Sequence, residues 1–177
     1  AEVPPAKAAW KTPYRTDPFK VPLDRKGALL SSLSADLKKG KRIQSGEASY
    51  SAYRTKKIFA STEGALIEQE IVECGAGIVA VAAGNGLVQS RSFPNSHRGD
   101  FVTGGWEHIE GMGMAANVER VREEAAALLD APDLPEGKYD LILWGPQLAL
   151  QIHESCGHPI ELDRVLGTEQ SLAGGSF

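Results

Sequence analysis

One cluster of residues combines side chains that could bind a metal ion and move a proton. It is the segment His153-Glu154-Ser155-Cys156-Gly157-His158, in which two histidines enclose a glutamate next to the first of them. Neutral imidazoles are good zinc ligands. A glutamate beside the first histidine can take the proton of a water molecule at the metal. The pattern therefore predicts a zinc site at His153 and His158, with Glu154 as the catalytic base.

The spacing of the two histidines requires an irregularity in the helix that carries them. On a regular α-helix, residues four apart differ by roughly 40°, whereas residues five apart differ by roughly 140° and point apart. Gly157 is a poor helix residue, and Pro159 disfavours helical geometry at His158. We therefore predict a kink, a bulge or a helix end between Cys156 and His158, with both imidazoles facing one cleft.

The elements before the motif are predicted to hold it in place. The apolar segment 138–144 predicts a short strand. Pro146 then suits the first turn of a helix, where its missing N–H costs nothing. The helix ahead of His153 is almost free of charged residues, so we expect it to be buried. The alternative is that His153 and His158 are merely a surface pair near a helix end.

The rest of the chain predicts an α+β fold, in which helices pack on an antiparallel sheet of hairpins. Residues 1–20 are rich in proline and indicate an extended linker, and residues 21–177 are predicted to form one domain that ends with the motif helix. Gly84-Asn85-Gly86 favours a tight hairpin, because asparagine and glycine tolerate positive φ. Hydrophobic periodicity predicts helices at 23–39 and 107–130, and strands at 42–54, 56–61, 65–73, 77–83 and 87–92.

Composition argues against two classes of partner. The chain has 177 residues, 42% of them hydrophobic, and a net charge of −4. The sequence contains no run of about 18 apolar residues, so no membrane span is predicted. The negative net charge does not favour nucleic-acid binding. Two cysteines without framework spacing suit a reducing compartment. We therefore expect a protein of a reducing compartment that binds neither membranes nor nucleic acid.

Several segments together resemble the TldD/PmbA metallopeptidases. The longest is residues 151–164, QIHESCGHPIELDR, and the lead-in Tyr139–Leu143 is similar to the same family. The resemblance extends over roughly residues 20–177. Further matching segments are Ser92-Phe93-Pro94, Gly104-Gly105-Trp106-Glu107 and Ala173-Gly174-Gly175-Ser176-Phe177.

This resemblance implies a cytoplasmic zinc peptidase that acts on unstructured peptides. His153 and His158 match the family's zinc-binding histidines, and Glu154 matches its catalytic glutamate. The family's third protein ligand is a cysteine of a C-terminal domain, which we expect to lie outside this chain, so the isolated chain is expected to be an incomplete, N-terminal or middle fragment. The resemblance also implies a homo-oligomer, or a heterodimer with a PmbA/TldE-type subunit that lacks the motif. The alternative function is a non-catalytic subunit that binds peptides.

Four further residues are candidates for secondary roles. Cys156 is close enough to His153 to be a ligand, but we favour a buried structural thiol. Glu161 could be a ligand, a partner that orients an imidazole, or a surface or capping residue. His97 and His108 are interpreted as ordinary histidines of a loop and a helix start.

Overall fold

The computed structural model describes residues 4–95, 99–171 and 174–176, so His97 lies outside the described residues. The chain divides into two compact units, Ala1–Pro132 and Asp133–Phe177. The first unit holds a five-stranded sheet with helices, and the second holds the segment with the histidine motif. The predicted α+β class is confirmed.

The sheet of the first unit is built around one long central strand. Strand β3 (Leu66–Gly84) pairs with β2 (Ile43–Ala60) on one side. On its other side it pairs in turn with β1 (Lys7–Lys11), β5 (Asp100–Thr103) and β4 (Leu87–Phe93). All of these pairings are antiparallel except that of β1, which runs parallel to β3. The sheet is therefore mixed, rather than purely antiparallel as predicted.

The hairpin between β3 and β4 is confirmed at its predicted position. Asn85 and Gly86 occupy the turn with φ of 54° and 76°, the left-handed values that a two-residue hairpin favours. The predicted breaks within β2 and β3 do not occur. Gly75, for example, continues β3. A Cβ atom there would collide with the Asp100 carbonyl oxygen and the Phe101 ring in β5. This glycine permits a close approach of strands rather than a turn.

The predicted linker contains residues that belong to the sheet. Residues 7–11 form β1, and the Thr12 N–H continues this pairing by donating to the Glu70 carbonyl at 2.9 Å. Farther along, Glu107 accepts hydrogen bonds from the N–H groups of Arg15 and Thr16 at 2.9 and 3.0 Å. Burial alone raises the pKa of Glu107, but these donors outweigh it, and the pKa is lowered. The N-terminal segment is thus bonded to both the sheet and a helix.

Among the described residues of the first unit, three helices accompany the sheet. Helix α1 (Leu23–Leu37) agrees with its prediction to within two residues. The single helix predicted at 107–130 is wrong, because the segment forms α2 (Trp106–Gly111) and α3 (Met114–Ala127). Gly113 separates them with φ of 69°, a conformation that cannot continue a right-handed helix. The core joins these helices to β3 and includes Leu33, Leu37, Cys74, Ala76, Ile78, Ala80, Trp106, Ile109, Val118 and Val121.

The lengths and hydropathies of the described helices were compared with those of membrane-spanning helices. None of those in the described part of the chain is both long enough and apolar enough to span a bilayer.

Candidate metal centre

The second unit is a succession of short helical segments. Helix α4 (Gly145–Ile152) has Pro146 in its first turn, as predicted. It continues without interruption into a π-helical turn, His153–Gly157, and a 3₁₀ turn, His158–Ile160. Helix α5 (Leu162–Val165) follows.

The strand predicted at 138–144 is wrong. These residues form no regular element, and Leu141 and Ile142 are 80% and 94% exposed. A strand requires a neighbour to satisfy its backbone groups, and no strand of the described residues pairs with this segment. Its apolar sequence and its β-propensity were therefore insufficient to make it a strand.

The π-helical turn brings the two histidines to the same side of the helix. The His158 N–H bonds to the His153 carbonyl, five residues back, which is the hydrogen bond that defines a π-helix. This bond places His158 above His153, whereas a regular α-helix would separate them by roughly 140°. The predicted bulge is confirmed. Gly157, however, does not end the helix, since its φ of −61° and ψ of −57° are helical.

Three potential metal-binding side chains converge at this turn. One donor atom from each of His153, Glu154 and His158 lies within 4.8 Å of the other two. The two imidazole rings are 4.6 Å apart between centroids and meet edge to face at 80°. The Glu154 Oε2 atom lies 3.8 Å from His158 Nε2. The predicted site residues are thus neighbours in space.

The surroundings of the site are more open than predicted. No residue of α4 is buried within the described chain, and Leu150 and Ile152 are 44% and 53% exposed. Absence of charge therefore did not signal burial, because an apolar helix is buried only where another surface covers it. His153 and Glu154 are also exposed. Cys156 is exposed too, which contradicts its interpretation as a buried structural thiol.

Glu161 contacts the second histidine of the motif. Its Oε1 atom lies 3.1 Å from His158 Nδ1, and its Oε2 atom accepts a hydrogen bond from Arg164 Nε at 3.2 Å. These bonds from His158 and Arg164 lower the pKa of Glu161. Sequence reasoning left the role of Glu161 open and missed Arg164. The available signal was the three-residue spacing from His158 to Glu161 and on to Arg164, although these residues do not share one helix, because Glu161 is extended with ψ of 138°.

The remaining histidine of the described chain belongs to another region. His108 lies in α2, where its Nε2 atom is 3.7 Å from Asp100 Oδ2. It takes no part in the cluster at His153 and His158. This agrees with its interpretation as an ordinary histidine near a helix start.

The donor set of the cluster suits a divalent metal. Two imidazoles and a nearby carboxylate are donor types that zinc accepts, and the π-helical turn brings a donor atom of each within 4.8 Å of the others. Protein zinc sites with catalytic function usually use three protein ligands and keep one position open. The two histidines would supply two of these ligands, and Glu154 is close enough to serve the open position.

Comparison with known families identifies the family of the chain. A family profile described as the PmbA/TldA metallopeptidase central domain matches residues 16–129, more than half of the chain. The chain therefore belongs to the PmbA/TldA metallopeptidase family. The matched residues lie in the first structural unit, and the motif at 153–158 follows them.

Two relatives carry names of the same kind. Metalloprotease MJ0996 of Methanocaldococcus jannaschii is 37% identical over 126 residues, which cover 71% of this chain and 26% of that protein. A metalloprotease of Methanothermobacter thermautotrophicus is 29% identical over 132 residues, or 75% of this chain and 28% of that protein. The chain thus spans about a quarter of the length of these relatives. No solved structure matches it significantly.

Proposed function

We propose that this chain carries part of the active site of a zinc-dependent peptidase that hydrolyses unstructured peptides. In this proposal His153 and His158 bind zinc, and Glu154 is the catalytic base. The observation that supports it is the convergence of the three side chains within 4.8 Å on a π-helical turn, in a chain of a metallopeptidase family. A surface pair of histidines would not require this uncommon winding.

The chemistry divides between the metal and the protein. Bound zinc would polarise the scissile carbonyl and make water more acidic. His153 and His158 would hold the metal through their ring nitrogens. Glu154 accepts the proton of the attacking water at a carboxylate oxygen and later delivers it to the leaving amine. The distance of 3.8 Å between Glu154 Oε2 and His158 Nε2 supports this role.

As this chain presents it, the site is accessible to an unfolded substrate. His153 and Glu154 are exposed, and Leu150 and Ile152 on the preceding helix present apolar surface close to them in sequence. An extended peptide can bring its backbone carbonyl to such a site and bury apolar side chains on the helix. A folded substrate has its backbone carbonyls engaged in secondary structure. The second candidate function is peptide binding without cleavage, which the same exposed surface would permit.

Cleavage assays with a chelator distinguish the two candidate functions. The full-length natural protein is expected to hydrolyse an unfolded peptide such as reduced, carboxymethylated casein. A zinc chelator should abolish the cleavage, and added zinc should restore it, because the metal supplies the electrophile. Mass spectrometry of the products measures the effect, with a folded globular protein as a control substrate. Binding of the peptide without cleavage, at any zinc concentration, would support the non-catalytic function instead.

The 177-residue chain alone is expected to bind zinc weakly. His153 and His158 provide one protein ligand fewer than the usual three of a catalytic site. Isothermal titration with zinc should therefore show low affinity that vanishes in a His153→Ala variant. Tight, stoichiometric binding would contradict the proposed ligand set and point to Cys156 or Glu161 as an additional ligand.

We further propose that the protein associates with a second copy or with a PmbA/TldE-type subunit that lacks the motif. Among the described strands, β2 pairs only with β3, so its other edge leaves backbone groups without a strand partner. Ser34 covers part of that edge by accepting the Ala48 N–H at 3.1 Å. Beyond it, the last part of β2 exposes Ile58 and Phe59. Light scattering of the full-length protein should give at least a dimer, and a strict monomer would contradict this proposal.

A cytoplasmic location is also proposed. Both cysteines are free, and Cys156 is exposed, which suits a reducing compartment. Fractionation of the producing cells would test this, and recovery outside the cytoplasm would contradict it.

A further inference from the structure

A chain of hydrogen bonds leads from the candidate metal centre to a buried arginine. His158 Nδ1 contacts Glu161 Oε1 at 3.1 Å, and Arg164 Nε donates to Glu161 Oε2 at 3.2 Å. A carboxylate only accepts hydrogen bonds at neutral pH. The proton of the neutral imidazole must therefore sit on Nδ1 for the first contact to be a hydrogen bond. That arrangement leaves the Nε2 lone pair of His158 free, on the side where Glu154 lies.

Arg164 is itself firmly anchored within the second unit. Its side chain is only 5% exposed. Besides Glu161, its Nη1 atom donates to the carbonyls of Ser171 and Gly174, each at 2.8 Å. A buried guanidinium with several acceptors is held in one orientation, because its donors form a rigid planar fork. The Arg164 side chain therefore contacts the Glu161 carboxylate from one fixed direction.

Two other roles for Glu161 fit the structure less well. Glu161 occupies the N-cap position of α5, but its side chain makes no capping hydrogen bond there. It also lies outside the group of converging donor atoms formed by His153, Glu154 and His158. Its two carboxylate oxygens instead contact His158 Nδ1 and Arg164 Nε. The geometry is that of a partner that orients a ligand, rather than a cap or a ligand.

We infer that Glu161 and Arg164 are positioning residues for His158, holding its ring in the Nδ1–H tautomer so that Nε2 is presented to the metal. Glu161 accepts the Nδ1 proton, and Arg164 keeps the Glu161 carboxylate in place. The role in metal binding rests on the proposed zinc peptidase function. The tautomer does not depend on it, since the hydrogen bonds form within the metal-free chain.

The tautomer of His158 can be measured without any metal. Long-range ¹H–¹⁵N correlation spectra of the 177-residue chain distinguish the two neutral tautomers at about two pH units above the ordinary histidine pKa of about 6.5. We expect Nδ1–H for His158 in the wild type and a shift toward Nε2–H in Glu161→Ala. Glu161→Gln keeps an acceptor oxygen, so it should largely preserve Nδ1–H. Glu136→Ala is the matched control, because Glu136 is an exposed glutamate of the same unit and makes no ion pair or side-chain hydrogen bond with other described residues.

Zinc titrations of the same variants test the consequence for the metal. Loss of a partner that orients a metal ligand typically costs about 10- to 100-fold in affinity, and we expect a loss of this size for Glu161→Ala. Arg164→Lys should cause a smaller loss, since a single ammonium cannot contact Glu161 and two carbonyls with the same geometry. Glu136→Ala should match the wild type. Circular dichroism would verify that the variants remain folded, and Glu161, being exposed, can be replaced without opening a cavity.

The outcomes separate this inference from the proposed function. An Nε2–H tautomer in the wild type, or an unchanged Nδ1–H tautomer in Glu161→Ala, would overturn the inference. Where the wild type binds zinc measurably, an equal zinc affinity of Glu161→Ala would also overturn it. A wild type that shows the Nδ1–H tautomer, while the full-length protein neither binds zinc nor cleaves peptides, would refute the peptidase and leave the positioning of His158 intact.

Discussion

Replacing Glu154 by glutamine is expected to abolish peptide hydrolysis by the full-length protein while zinc remains bound. Glutamine has nearly the same size as glutamate, but its amide cannot accept a proton from water at neutral pH. General acid–base catalysis typically contributes about 10²- to 10⁴-fold to the rate, so kcat/KM should fall by a factor in that range. Peptide cleavage kinetics and metal analysis of the same preparation measure the two effects.

The matched control for this variant is Glu136→Gln. It makes the same chemical change at an exposed glutamate of the second unit and should leave the rate unchanged. His153→Ala provides the opposite comparison, because it should remove the metal as well as the activity. Near-normal cleavage by Glu154→Gln would show that this carboxylate is not the proton carrier. Loss of zinc in the same variant would indicate that Glu154 is a ligand.

Replacing Pro159 by alanine is expected to weaken zinc binding although it removes no ligand. Proline lacks an N–H, and in a regular helix its ring collides with the carbonyl four residues before it, here that of Ser155. The π-helical turn, closed by the His158 N–H on the His153 carbonyl, lies immediately before Pro159. Alanine restores the N–H and permits a regular helix, in which the two histidines would differ by roughly 140°.

The expected loss is at least as large as that for an orienting partner, about 10- to 100-fold in zinc affinity. Gly157→Ala should act in the same direction, since alanine favours regular helix by about 1 kcal/mol. The added Cβ meets no close neighbour, its nearest being the Ile152 carbonyl at 3.9 Å. Pro146→Ala is the matched control, because Pro146 lies in the first turn of α4, where no N–H is required. Unchanged zinc affinity in Pro159→Ala would mean that contacts other than the proline maintain the turn.

Local sequence was sufficient for features that depend on a few consecutive residues. The turn at Asn85-Gly86 follows from the tolerance of these two residues for positive φ. Helix α1 follows from its leucine stripe. The irregular winding before His158 follows from a proline that cannot continue a regular helix. In each case the physical cause lies within the segment itself, so the feature could be predicted from those few residues alone.

Other features depend on residues that are distant in sequence. The apolar segment 138–144 has the composition of a strand but no strand partner among the described residues, whereas residues 7–11 have a proline-rich setting and still pair with β3. Pairing is decided by which backbone edge is available, and composition does not encode that. The continuity of β2 and β3 has the same explanation. The two strands pair along nearly their whole length, and this pairing outweighs the local sequence signals for a break.

The candidate metal centre shows the same division. The sequence by itself determined the donor types, their order and the need for an irregular helix, because imidazole chemistry and helical geometry are local properties. Only the tertiary structure decided that Glu161 bonds to His158 and that Arg164 is buried against the carbonyls of Ser171 and Gly174. These contacts depend on how the chain turns after His158 and returns to Arg164, and three-residue spacing alone does not specify that path. Burial is likewise a property of the surface that covers a side chain, which is why an uncharged helix could be predicted as buried and prove to be exposed.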